Sequence, residues 1–173
     1  MKRIAIFPGS FDPFTIGHQA IVDRALQIFD GLVIAFGINR SKKPYLPLDE
    51  RVAFVKALYA EDERVVVLSY DTMTCDLAAQ YDAKFIIRGV RSVSDYEYER
   101  MIADANMRIA GLETVFLIAD PFTAHISSSL VREMASFGKD PSKFLPKLDA
   151  EKINGNLSES ELTRICSRLE QLW

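Results

Sequence analysis

The chain has 173 residues, 49% of them apolar, a formal net charge of −3 and a mean hydropathy near zero: material for one well-filled domain and too little for two of ordinary size. The slightly acidic balance excludes the broad basic surface of a general nucleic-acid binder. No apolar run approaches the roughly 20 residues of a membrane span, and the N-terminus enters a strand without the regions of a signal peptide, so a cytoplasmic protein with no nucleic-acid or membrane partner is expected.

The first expected strand, Arg3–Phe7, runs into Gly9-Ser10-Phe11-Asp12-Pro13-Phe14-Thr15-Ile16-Gly17-His18. Gly9 and Pro13 interrupt regular structure, and Gly17 permits close backbone approach. His18 falls in the first turn of a helix expected over Gly17–Phe29, where an anion binds well. A strand at Leu32–Gly37 precedes Asn39, Lys42 and Lys43, and a helix is expected over Asp49–Ala60. The next strand, Val65–Ser69, leads to Asp71–Thr74 and a short helix over Met73–Tyr81. The apolar strand Lys84–Ile87 runs into Arg88-Gly89-Val90-Arg91, followed by a helix over Ser94–Ala110 whose Ser94 and Glu97 form a capping box. The strand Thr114–Ile118 is followed by Thr123–Ser129 and a helix over Ser128–Phe137, with Leu130, Met134 and Phe137 facing inward and Gly138 at its C-terminal end. Asn154-Gly155-Asn156 breaks the chain before a further capping box, Ser158 with Glu161, and Leu162, Ile165, Leu169 and Leu172 at helical spacing. The expected organisation is a domain over residues 1–147 with a helical extension, 148–173, of the same domain. Cys75 and Cys166 are far apart and read as reduced structural thiols; with only His18 and His125 besides, zinc has too few soft ligands.

Strands alternating with helices predict an α/β fold: a doubly wound, Rossmann-like five-stranded parallel sheet with helices on both faces. Ligands of such sheets bind outside the carboxyl ends of the strands. The polar and cationic residues just named follow the strands, so one edge gathers Ser10, His18, Lys42, Arg88, Arg91 and the three serines. A polyphosphate and a second anionic molecule are the expected ligands. Each assignment competes with a plainer one: Lys42 as a solvated lysine, Arg91 in an ion pair with Asp95 or Glu99, one of Ser127 to Ser129 as a helix cap, and Asp12 as an Asx-Pro turn rather than an outer-shell magnesium ligand.

The Gly9–His18 segment resembles the first signature of the nucleotidyltransferase superfamily, and Ile126-Ser127-Ser128-Ser129-Leu130-Val131-Arg132 resembles its second. With Ser41-Lys42-Lys43-Pro44, Ile87-Arg88-Gly89-Val90-Arg91 and Asp95-Tyr96-Glu97-Tyr98-Glu99, the match is to the bacterial phosphopantetheine adenylyltransferase family over about residues 1 to 147. The resemblance implies adenylyl transfer from ATP to 4′-phosphopantetheine with Mg²⁺, a homohexamer, and coenzyme A as a feedback ligand. His18, Lys42 and Ser10 would be catalytic. ATP would be held by Ser10, Phe11, Gly17, His18, Gly89, Val90, Arg91, Glu99 and the run Thr123, Ala124, His125, Ile126, Ser127, Ser128 and Ser129. Phosphopantetheine would be held by Ser10, Lys42, Met73, Thr74, Arg88 and Asn106, and no protein residue is assigned to the metal. Thr15 stands where other branches of the superfamily carry a second histidine. Nucleotidyltransferases using CTP or nicotinamide mononucleotide, and a nucleotide sensor without catalysis, are the alternatives.

Overall fold

A computed structural model describes residues 2–39, 41 and 43–148. The elements in chain order are β1 (Ile4–Gly9), α1 (Ile16–Ala25), β2 (Gly31–Gly37), α2 (Leu48–Leu58), β3 (Val65–Tyr70), α3 (Thr74–Gln80), β4 (Phe85–Val90), α4 (Val93–Ala110), β5 (Glu113–Ile118) and α5 (Ser128–Ser136), followed by a 3₁₀ turn at Ser142–Phe144. The extension expected beyond Leu148, with Cys166 and its capping box, lies outside the described residues.

The sheet is five-stranded, in the order β3-β2-β1-β4-β5, and each neighbouring pair is parallel. Period-two alternation makes it two-faced. Ala5, Phe7, Leu32, Ile34 and Phe36 pack with Ile21, Val22 and Ala25 of α1 and Phe54 and Val55 of α2. Ile6, Val33, Ala35 and Ile86 face the other way, onto Leu77 and Ala78 of α3. Strands buried on both faces read as continuous apolar runs, which is why β1 and β2 are so conspicuous in the sequence.

The order reverses between β1 and β4, and there the ladder is short. β1 pairs with β2 from Ile4↔Gly31 to Gly9↔Phe36, whereas β1 and β4 pair only at Ala5↔Phe85 and Ile6↔Ile86. Beyond Ile6 the two strands part, opening the crevice that a doubly wound sheet offers a ligand.

Several expectations are corrected. β4 continues through Arg88, Gly89 and Val90, so Arg88 sits on a strand. Ser94 is not the cap of α4: the helix begins at Val93, and Ser92 caps it by accepting the Asp95 N–H at 3.1 Å. The helix α1 stops at Ala25, and Ile28 and Phe29 both return their N–H to its carbonyl in a closing turn. In α5 the buried residue is Val131, while Phe137, at the C-cap, is 73% exposed. Gly138 does end that helix: its φ is 64°, its N–H reaches the Ala135 carbonyl, and Lys139 N–H reaches Met134. The aromatic run of α4 is not buried either; no residue of that helix is, and Tyr98 and Met101 are about 60% exposed.

Candidate active site

The crevice between β1 and β4 opens toward the N-termini of α1 and α5. Thr15 caps α1, its hydroxyl accepting the His18 N–H at 3.4 Å, and the Thr15 N–H donates to His18 Nδ1 at 2.9 Å. A backbone N–H can only donate, so Nδ1 is an acceptor and the neutral ring carries its proton on Nε2. Phe11 and Phe14 enclose the ring at centroid distances of 5.1 and 5.4 Å. Burial, then the positive charges of Arg91 and Arg88, lower the His18 pKa from 6.5 to about 4. Near neutral pH His18 is therefore an uncharged, pre-oriented N–H donor at a helix N-terminus.

Arg88 spans the gap where β1 and β4 part. Its Nη1 donates to the Pro8 carbonyl at 2.5 Å, while Nε and Nη2 bind the two oxygens of Glu99 at 2.6 and 2.5 Å. The fork fixes the guanidinium plane, and each Nη keeps a second N–H for a ligand. This ion pair divides two clefts. The first, of about 390 Å³, is lined by Ser10, Phe11, Gly17, His18, Arg88, Gly89, Arg91, Glu99, Thr123, Ile126 and Ser127 to Ser129. The second, of about 810 Å³, is lined by Ser10, Asn39, Tyr70, Thr74, Arg88, Tyr98, Glu99 and Asn106 among others. Pro8, Gly9, Ser10, Arg88 and Glu99 line both. Two adjoining sites meeting at a hydroxyl and a guanidinium suit two phosphoryl compounds brought end to end.

The α5 end is tied to the first loop. Ser127 caps the helix through the Leu130 N–H at 3.1 Å, and Ser128 donates to the Pro13 carbonyl at 2.8 Å. Arg132 donates to the Asp12 carbonyl at 2.6 Å and to Ser129 Oγ at 3.1 Å. Two of the serines are thus structural partners of backbone groups, and Ser129 keeps its hydroxyl at the cleft wall.

The cytidylyltransferase-like family profile matches residues 6–134. A phosphopantetheine adenylyltransferase of Bacteroides thetaiotaomicron is 48% identical over 84% of this chain and 96% of its own, and one of Phocaeicola vulgatus is 51% identical over the same shares. The chain belongs to the phosphopantetheine adenylyltransferase family. Among solved structures, a bifunctional NMN adenylyltransferase/ADP ribose pyrophosphatase of Francisella tularensis shares the fold, with a TM-score of 0.65 at 16% identity over 87% of this chain and 47% of that one.

Of the residues that family membership brings to attention, the structure gathers Ser10, His18, Arg88, Arg91 and the three serines at one edge. Lys42 lies outside the described residues. Arg91 has the ion pair anticipated as its competing account, Nε to Asp95 Oδ2 at 3.1 Å, exposed enough to yield readily to a phosphate. Val90 is buried behind the cleft rather than lining it. His125 turns its ring onto Phe144 at 6.1 Å, and neither it nor Ala124 lines either cleft. Met73 stands before α3, 55% exposed and off the cleft wall, whereas Thr74 is on it, its hydroxyl 3.0 Å from Tyr70 OH. Gly17 lines the first cleft at the start of α1, and a Cβ there would make ordinary contact with the Ile126 carbonyl at 3.4 Å, so α1 starts beside the 123–126 loop.

Sequence reasoning missed the partners of Arg88 and the whole role of Arg51. Asp12 accepts the Tyr45 and Leu46 N–H groups at 2.7 and 2.9 Å, one on each carboxylate oxygen. Those bonds make it a stitch between two loops, a structural role beyond the Asx-Pro turn expected of it. Among the described residues no three His, Cys, Asp or Glu side chains cluster as a metal cage.

Proposed function

We propose that the protein transfers the adenylyl group of ATP to 4′-phosphopantetheine, forming dephospho-coenzyme A and pyrophosphate, the penultimate step of coenzyme A biosynthesis. The observation that carries the mechanism is the pair of clefts meeting at Ser10 and Arg88, with His18 in the nucleotide side. ATP takes the first cleft and the acceptor the second. An oxygen of the acceptor phosphate attacks the α-phosphorus, the bond from that phosphorus to the α–β bridging oxygen breaks, and its electron pair leaves with pyrophosphate. The attacking phosphate is already ionised near neutral pH, so no residue has to remove a proton from it. The protein's task is to align two repelling anions and stabilise the charge gathering between them. His18 Nε2–H donates to an α-phosphate oxygen, Arg88 and Lys42 hold the acceptor phosphate, and Arg91, Gly89 and Ser129 meet the ATP phosphates. Thr74 and Asn106 line the channel for the pantetheine arm.

Mg²⁺ fits this scheme as a companion of the β and γ phosphates, since it keeps several waters and needs no protein cage. The homohexamer that the family resemblance implies needs an interface between subunits, and α4 offers a surface for one: it is eighteen residues long with none buried, and Val93, Met101 and Ile109 are at least 60% exposed. Coenzyme A carries the same pantetheine arm as the substrate, which suits it to the second cleft as a feedback ligand. No helix among the described residues is long and apolar enough to cross a membrane, in keeping with a cytoplasmic location. The test is to incubate purified protein with ATP, Mg²⁺ and, in turn, 4′-phosphopantetheine, nicotinamide mononucleotide and a phosphorylated alcohol, and to weigh the adenylated product. Dephospho-coenzyme A is expected from the first alone; adenylation of another acceptor in its place contradicts the reading.

A further inference from the structure

We propose that Arg51 of α2, anchored by Asp12, is a positioning residue that turns the Phe11 N–H into the nucleotide cleft; the inference rests on the adenylyl-transfer reading above.

Arg51 is 8% exposed, and its bonds leave the core for the first loop. Nη1 donates to the Ser10 carbonyl, Nε donates to the Leu46 carbonyl at 3.0 Å, and Asp12 Oδ1 lies 3.9 Å from Nε as the compensating charge. A buried guanidinium is costly unless paired and hydrogen-bonded, and here it is both. Peptide planarity gives the consequence: the C=O of one residue and the N–H of the next point in opposite directions. Ser10 and Arg51 line a side cavity on the α2 flank of the loop, whereas Phe11 lines the cleft with His18, and Arg51 does not. With the Ser10 carbonyl drawn to Arg51, the Phe11 N–H is directed the other way, to the cleft.

The backbone does not favour this conformation unaided. Phe11 has a φ of 43°, in the left-handed region that a bulky L-residue avoids. Its ring folds back over Gly9, where a Cβ would approach to 2.6 Å, and packs on Phe7 and Phe36 at 5.1 and 5.0 Å. The ring holds one end of the residue and the Arg51–Ser10 bond holds the other. The two carbonyls after Phe11 have separate holders, Arg132 on Asp12 and Ser128 on Pro13, so the Ser10 peptide depends on Arg51. A fixed N–H beside His18 is a donor to charge developing on the transferred phosphoryl group.

The test compares Arg51→Met, Arg51→Lys and, as a matched loss of stability, Val55→Ala one turn further along the same helix. Arg51→Met is expected to lower kcat about 10- to 100-fold while KM for ATP changes less than about threefold. Arg51→Lys, which keeps a donor without the fork, is expected to recover part of that loss. Val55→Ala is expected to lower Tm and leave kcat unchanged. In the wild-type protein the Phe11 amide resonance is expected to move on addition of ATP, a readout that needs no variant to fold and no acceptor. A folded Arg51→Met with kcat within twofold of wild type overturns the proposal, as does a Phe11 amide indifferent to ATP. Failure of the wild-type protein to make dephospho-coenzyme A contradicts the substrate reading instead, and the amide response then decides the Arg51 role alone.

Discussion

At the scale of single residues, a neutral histidine and a forked arginine carry the proposed chemistry. Removing a donor used in the transition state costs about a hundredfold or more, so His18→Ala is expected to fold and to lose at least about that much turnover in a steady-state assay. The ring's depressed pKa has a signed consequence for stability. Its folded value of about 4 lies below the unfolded 6.5, so the unfolded chain binds the extra proton between those values. The histidine's contribution is therefore fully present above pH 6.5 and is lost as the pH falls to about 4. Denaturant titrations across that window are expected to show a shallower acid loss for His18→Asn than for wild type. Glu99 is bound bidentately by Arg88, so Glu99→Ala releases the guanidinium from its plane. The expected result is a rise of about tenfold in KM for 4′-phosphopantetheine, checked by initial rates at saturating ATP.

At the scale of elements, the sequence discloses whatever is local. Strands β1 and β2 announce themselves by unbroken apolar runs, and Gly138 by its place after α5, because burial on both faces and a left-handed turn each leave a mark within a few residues. Gly138→Ala is expected to lower stability by about 1 kcal/mol, since its φ of 64° disfavours a side chain although nothing lies within 4 Å of the new Cβ. Turnover should be unchanged, as a thermal melt beside an activity assay will show. The sequence alone does not separate Ser94 from Ser92 as the cap of α4, because two serines two residues apart each satisfy the local rule, and only the helix start at Val93 selects Ser92. Arg88–Glu99, Arg88–Pro8 and Arg51–Ser10 leave no local trace at all. They join residues 11, 80 and 41 positions apart, through strand order and helix packing that periodicity does not specify.

For the whole molecule, the parallel order β3-β2-β1-β4-β5 converts five separate loops into one edge. The gathering of Ser10, His18 and Arg88 follows from the topology, which the strand-helix alternation made legible, whereas the partition into two clefts follows from the Arg88–Glu99 bridge, which it did not. The exposed face of α4 belongs to the same scale: if it carries the proposed homohexamer, Met101→Glu with Ile109→Glu is expected to yield smaller species in sedimentation velocity while the fold persists by circular dichroism. The proposed reaction is a single direct displacement between two aligned phosphates. It is tested by running the reaction on ATP made chiral at the α-phosphorus with sulfur and an oxygen isotope, and reading the configuration of the dephospho-coenzyme A product by ³¹P NMR. Inversion at that phosphorus is the predicted result; retention would require an adenylylated protein intermediate and would contradict the account.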